Sequence, residues 1–115
     1  MLVVRDIDQS VEFYNRVFGL HVIMDFGANK TLTGGLALQT AETYQEFIGD
    51  RAISFGGNNF ELYFEEDDFD GFIAKLGQRN DIQYIGDGVK EAGWGQRTVR
   101  FYDLDGNLIE VGTPM

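Results

Sequence analysis

Hydrophobic and polar positions along this chain switch between two periods, and the switches divide it into elements. Leu2-Val3-Val4 is a short apolar run that predicts a strand. From Asp6 the spacing turns helical. Ile7, Val11, Tyr14 and Val17-Phe18 recur on one side, Asp6 and Gln9 have capping-box spacing, and Gly19 stops the helix. His21 to Phe26 predicts a strand, and Thr31 to Gln39 a hairpin around Gly34-Gly35. Thr40 to Ile48 predicts a short helix with Tyr44, Phe47 and Ile48 on one side. Ala52 to Phe55 and Phe60 to Glu65 flank Gly56-Gly57-Asn58, which predicts a second hairpin. A helix starting at Asp68 turns Phe69, Phe72, Ile73 and Leu76 toward a core. Ile82 to Ile85 predicts a strand, and a Gly-rich loop follows it. The chain closes on Thr98 to Tyr102 and Leu108 to Val111, a hairpin around Asp103-Leu104-Asp105-Gly106-Asn107.

The pattern occurs twice. Asp6-Ile7-Asp8, then Val11 and Tyr14, match Asp68-Phe69-Asp70, then Ile73 and Leu76, at an offset of 62 residues. Gly35-Leu36-Ala37-Leu38-Gln39 matches Gly106-Asn107-Leu108-Ile109-Glu110 at an offset of 71. The expectation is an α+β domain over residues 1–115. It consists of two tandem βαβββ units, about 1–50 and 59–115, forming a curved mixed sheet with helices outside and a polar cleft inside. Alternation separates the faces. Leu62, Phe64, Val99, Phe101, Ile109 and Val111 share the face that suits the helices. Glu61, Tyr63, Glu65, Thr98, Arg100, Tyr102 and Glu110 lie on the other, and the repeat adds Gln39 to that face. Glu110 stands out, because a strand interior tolerates a carboxylate only where it is wet, paired or bound to a ligand.

Composition narrows the function. Sixteen aromatics among 115 residues exclude disorder, and the absence of cysteine excludes disulfide and thiolate chemistry. Nine basic against 19 acidic residues, net −10, argue against nucleic acid or an anionic membrane as partner. No signal peptide or membrane span is evident, so a cytoplasmic location is expected. One histidine, His21, and two serines, Ser10 and Ser54, leave no Ser-His arrangement.

At this point the residues resemble a known family. Val4-Arg5-Asp6-Ile7-Asp8-Gln9-Ser10-Val11-Glu12-Phe13-Tyr14 with Gly19-Leu20 is similar to the opening signature of the vicinal oxygen chelate superfamily. Phe101-Tyr102-Asp103-Leu104-Asp105-Gly106-Asn107-Leu108-Ile109-Glu110 is similar to its closing one. The superfamily includes glyoxalase I, bleomycin resistance proteins and extradiol dioxygenases. The resemblance implies up to four metal ligands, one in the first and one in the last strand of each unit. Carried over by position these are Glu61 and Glu110 in the second unit and Gln39 in the first; the helix offset sets the remaining one two residues before Met1.

Two functions follow as expectations. One is a glyoxalase-like lyase or isomerase, with Glu110 or Glu61 as catalytic base and Gln39, Glu61 and Glu110 holding Zn, Ni, Mn or Fe. The other is a metal-free protein that sequesters a small aromatic or cationic ligand. Tyr63, Trp94, Thr98, Arg100 and Tyr102 are the ligand-contact candidates in both. Against the metal stands a plainer reading, in which Glu61 or Glu110 pairs with Arg100 on the same face. Trp94, between Gly93 and Gly95, suits a mobile lid and a subunit contact equally. Asp103 to Glu110 lacks the EF-hand spacing, and the acidic run Glu65-Glu66-Asp67-Asp68 suits a helix N-terminus. Sheet edges and aromatic surface predict a homodimer, and the resemblance implies cleft halves drawn from one chain or from two exchanged chains.

Overall fold

The computed structural model describes all 115 residues. It divides into two compact units, Met1–Ser54 and Phe55–Met115. Each has its own four-stranded mixed sheet, so the single expected sheet is two.

In the first unit, strand β1 (Leu2–Val4) leads into helix α1 (Ile7–Phe18). Strands β2 (Val22–Asp25), β3 (Asn29–Leu32) and β4 (Ala37–Thr40) follow, with a 3-10 turn at Thr33–Gly35, and helix α2 (Ala41–Ile48) ends the unit. The strand order is β1-β4-β3-β2, with β1 parallel to β4 and the other pairs antiparallel. Asp6 caps α1 by accepting the Gln9 amide at 3.1 Å, and Gly19, at φ 73°, closes it. Phe13, Tyr14 and Val17 of α1 are buried, as are Leu2, Val4, Leu32 and Leu38 of the sheet. Removing such side chains from water is the main force holding the unit, at about 1.5–3 kcal/mol each.

In the second unit, β5 (Glu61–Glu65) precedes helix α3 (Phe69–Gly77), capped by Asp68 on the Gly71 amide. Strands β6 (Lys90–Glu91), β7 (Arg97–Tyr102) and β8 (Leu108–Gly112) complete the order β5-β8-β7-β6. The dry face is as alternation predicts. Val99 pairs Val111, and Phe101 pairs Ile109. All four are buried, with Phe69, Phe72 and Leu76 of α3 also buried.

Two further expectations need correction. Ala52 to Phe55 forms no strand, because Gly56, Gly57 and Asn58 all take positive φ (80°, 99° and 56°) and turn the chain out of extended form. Gly56 lies against the closing turn instead; a Cβ on Gly106 would meet the Gly56 Cα at 3.6 Å. Ile82 to Ile85 makes a single bridge, Tyr84 to Phe101, rather than a strand. The Ile85 amide donates to the Arg100 carbonyl, then Gly86 and Gly88 turn the chain out before Lys90 and Glu91 rejoin β7. The edge is thus broken in two. Under the break lies a cavity of about 480 Å³, lined by Ile73, Tyr84, Val89 and Val99 among others, on the helix side of the sheet. Burial there raises the Tyr84 hydroxyl pKa.

Candidate functional site

The polar face of the second sheet is built in rows by strand register. Tyr63, Glu110 and Arg100 lie side by side across β5, β8 and β7, and Glu61, Leu108 and Tyr102 form the next row. Arg100 reaches from one row to the other. Its Nε donates to Glu61 Oε2 at 3.0 Å and its Nη2 to Glu61 Oε1 at 3.4 Å. The same Nη2 lies 2.5 Å from Glu110 Oε2. A single guanidinium therefore serves both carboxylates, a geometry for which its planar fork is suited. The Arg100 and Glu61 side chains are 41% and 33% exposed, Glu110 15%, so the group sits at the surface with Glu110 as its most sheltered member. The Glu61 hydrogen bond raises the Arg100 pKa most; burial opposes it, and the charges of Glu110 and Glu61 add to the rise. Glu110 Oε1 has no protein donor.

The first sheet repeats this arrangement without charge. Asn29 is opposite Gln39 across β3 and β4, as Arg100 is opposite Glu110. Asn29 Nδ2 donates to Gln39 Oε1 at 2.9 Å and lies 3.6 Å from the Met1 Sδ. Gln39 Nε2 donates to Thr43 Oγ1 at 2.6 Å, so both ends of its buried amide are engaged. Val3 pairs Gln39, and Tyr63 pairs Glu110. Counted along the strands, the counterpart of Glu61 is therefore Met1, two residues before Val3, and not a position before the chain. The helix offset misleads because Val3 is three residues from its cap, Asp6, and Tyr63 five from Asp68.

The remaining contact candidates differ in reach. Tyr63 is 44% exposed, and its hydroxyl accepts from Gln96 Nε2 at 2.7 Å. Gln96 also donates to the Thr113 carbonyl and accepts from Trp94 Nε1, which links the Trp94 turn to Tyr63. Trp94 itself is 72% exposed. The Tyr102 hydroxyl donates to Asn58 Oδ1 at 2.7 Å. Thr98 is buried and unavailable as an open contact. Sequence reasoning missed Asn29, Asn58 and Gln96. Each is a polar residue whose role depends on a partner at least 10 positions away, beyond the reach of local pattern.

The profile of the glyoxalase-like domain family matches residues 1–115. The chain belongs to that family. It is thereby a vicinal oxygen chelate protein, and solved structures agree. A protein of unknown function from Agrobacterium tumefaciens str. C58 is 33% identical, with a TM-score of 0.84 over 98% of this chain and 90% of that one. A glyoxalase/bleomycin resistance protein/dioxygenase family enzyme from Burkholderia phytofirmans PsJN is 20% identical, at TM-score 0.81 over 99% and 94%. TioX from Micromonospora sp. ML1 is 20% identical, at 0.70 over 99% and 94%. These last two show the shared fold. Among curated proteins nothing matches.

The family implies a divalent metal, and the donors present can be tested against it. A metal shell needs free lone pairs converging on one point. Both Glu61 oxygens and one Glu110 oxygen face a guanidinium, and the Gln39 amide is spent on Asn29 and Thr43. No group of three or more His, Asp or Glu side chains converges anywhere in the chain. As placed, these residues do not fit a divalent cation. No helix is long and apolar enough to cross a membrane.

Proposed function

We propose that this glyoxalase-like domain binds a small organic cation on the polar face of its second sheet, without a metal. The observation that supports this reading is the Arg100 guanidinium shared by Glu61 and Glu110. It supplies internally the cation that two neighbouring carboxylates require. The group keeps a net charge of −1, and Glu110 keeps one oxygen without a protein donor. Tyr63 offers an exposed ring beside it, suited to an ammonium by cation–π attraction. The chain's net charge of −10 favours the approach of cations over anions.

The test is a thermal-shift screen of alkyl and aryl ammonium compounds in the presence of a chelator. Binding should raise Tm, because a ligand specific to the folded state stabilises it. Glu110→Gln should remove the gain. A gain obtained only with Mn²⁺, Ni²⁺ or Zn²⁺ and absent with every ammonium compound would overturn the reading. The donor-free Glu110 oxygen also favours a second reading, a lyase or isomerase in which Glu110 is the base and Arg100 the cation beside the developing charge. Glu61 has no such freedom, since Arg100 takes both its oxygens.

A further inference from the structure

The family's metal and the side chains present here disagree, and one strand position recurs at the centre of the disagreement. In each unit the residue paired with the last-strand ligand position, on the adjacent antiparallel strand, fills the space between that position and the first strand. Asn29 does so for Gln39 and Met1, and Arg100 for Glu110 and Glu61. Neutral acceptors are matched by a neutral donor, and anionic acceptors by a cation. We propose that Arg100 is the residue that keeps divalent metals out of the second unit, and that removing it opens a metal site at Glu61 and Glu110. This rests on the metal-free reading above and deepens it.

Two physical effects make the exclusion strong. Arg100 is anchored on β7, so it meets the carboxylates without the translational cost a free ion incurs. A divalent metal that takes oxygens from both carboxylates would sit against the guanidinium, at about twice the repulsion met by a monovalent ammonium held on the outer Glu110 oxygen and the Tyr63 ring. Once the guanidinium is gone, the same two carboxylates repel each other, and a divalent ion relieves them with hard oxygen donors suited to Mn²⁺.

The experiment uses the full chain after chelator treatment, with Mn²⁺ as probe. Free Mn²⁺ is followed by its EPR signal, and stability by Tm. The wild type and Arg100→Lys should leave both unchanged. Arg100→Ala should deplete free Mn²⁺ and gain roughly 5 °C in Tm at saturation. Adding Glu110→Gln should abolish both effects. Arg100→Gln, which keeps a donor for Glu110, should behave like Arg100→Ala and serves if the alanine variant does not fold. Failure of both neutral variants to bind Mn²⁺, with an inert wild type, overturns the inference and leaves the metal-free reading standing. Mn²⁺ binding by the wild type overturns both.

Discussion

Asn29 and Arg100 occupy the same place in two copies of one unit, and they differ by a full charge. Around Asn29 the partners are a thioether and an amide. Around Arg100 they are two carboxylates. Each set is matched to itself, which is the condition for a polar cluster that does not cost stability. The strand register is shared and the chemistry is not. The first unit closes its cluster: Gln39 is buried and its amide is satisfied at both ends. The second leaves its cluster open to solvent on Glu61 and Arg100, with a spare oxygen on Glu110. A ligand therefore has something to bind in the second unit and little in the first.

The greatest loss of stability is expected just beyond the cluster. Two residues after the ligand position, the first unit has Ala41 at the start of α2, and the second has Gly112 in β8. A Cβ on Gly112 would stand 2.6 Å from Gln96 Nε2 and 3.0 Å from the Tyr63 hydroxyl. Gly112→Ala should therefore break the Gln96–Tyr63 bond and destabilise the chain by about 2–3 kcal/mol, as overpacking does. Urea unfolding measures it. A loss below about 0.5 kcal/mol would mean that this corner yields freely and does not hold Tyr63 in place.

The next effect is a swap of the two clusters. Gln39→Glu removes the donor to Thr43 and places a charge in a buried site with no cation, at a cost of about 2 kcal/mol. Glu110→Gln keeps its neighbour Arg100 paired to Glu61, and should cost under about 1 kcal/mol. Arg100→Asn alone should cost more than the triple change Glu61→Met, Arg100→Asn, Glu110→Gln, which copies the neutral set into the second sheet. Additive costs across that series would mean the three residues do not act together.

How much of this was legible in the sequence follows from the range of each interaction. Caps at Asp6 and Asp68, the helix stop at Gly19 and the dry face of β7 and β8 depend on near neighbours or on alternation. They were readable. The pairing of Arg100 with a glutamate was readable too, as one of two possibilities, because parity put them on one face. Asn29 was not. Its role needs the β3–β4 register, which a hairpin with a 3-10 turn does not reveal. The strand read at Ala52 to Phe55 failed for a different reason. Gly56-Gly57-Asn58 looked like a hairpin turn, and three successive positive-φ residues instead carry the chain onto the closing turn. The broken edge at Gly86 and Gly88, and the cavity beneath it, had no signal beyond the glycines themselves.

The smallest effect separates the clusters by their response to salt. The Arg100 and Glu61 side chains are 41% and 33% exposed, so their attraction is screened by solvent and ions. A double-mutant cycle on this pair should give a coupling of roughly 0.5–1 kcal/mol at low ionic strength. At 1 M salt the Debye length falls to about 3 Å, and the coupling should fall by half or more. Asn29 and Gln39 carry no formal charge. Their coupling, on the order of 1 kcal/mol for a neutral hydrogen bond, should not change with salt. The two cycles together isolate what charge contributes at one shared strand position. A salt-insensitive Arg100–Glu61 coupling would show that the pair is held by hydrogen-bond geometry and shelter rather than by charge. The second cluster would then be a charged version of the first and no more open to a ligand. An equal fall in both would mean that salt acts on the sheets as a whole and that the cycle reports nothing about the site.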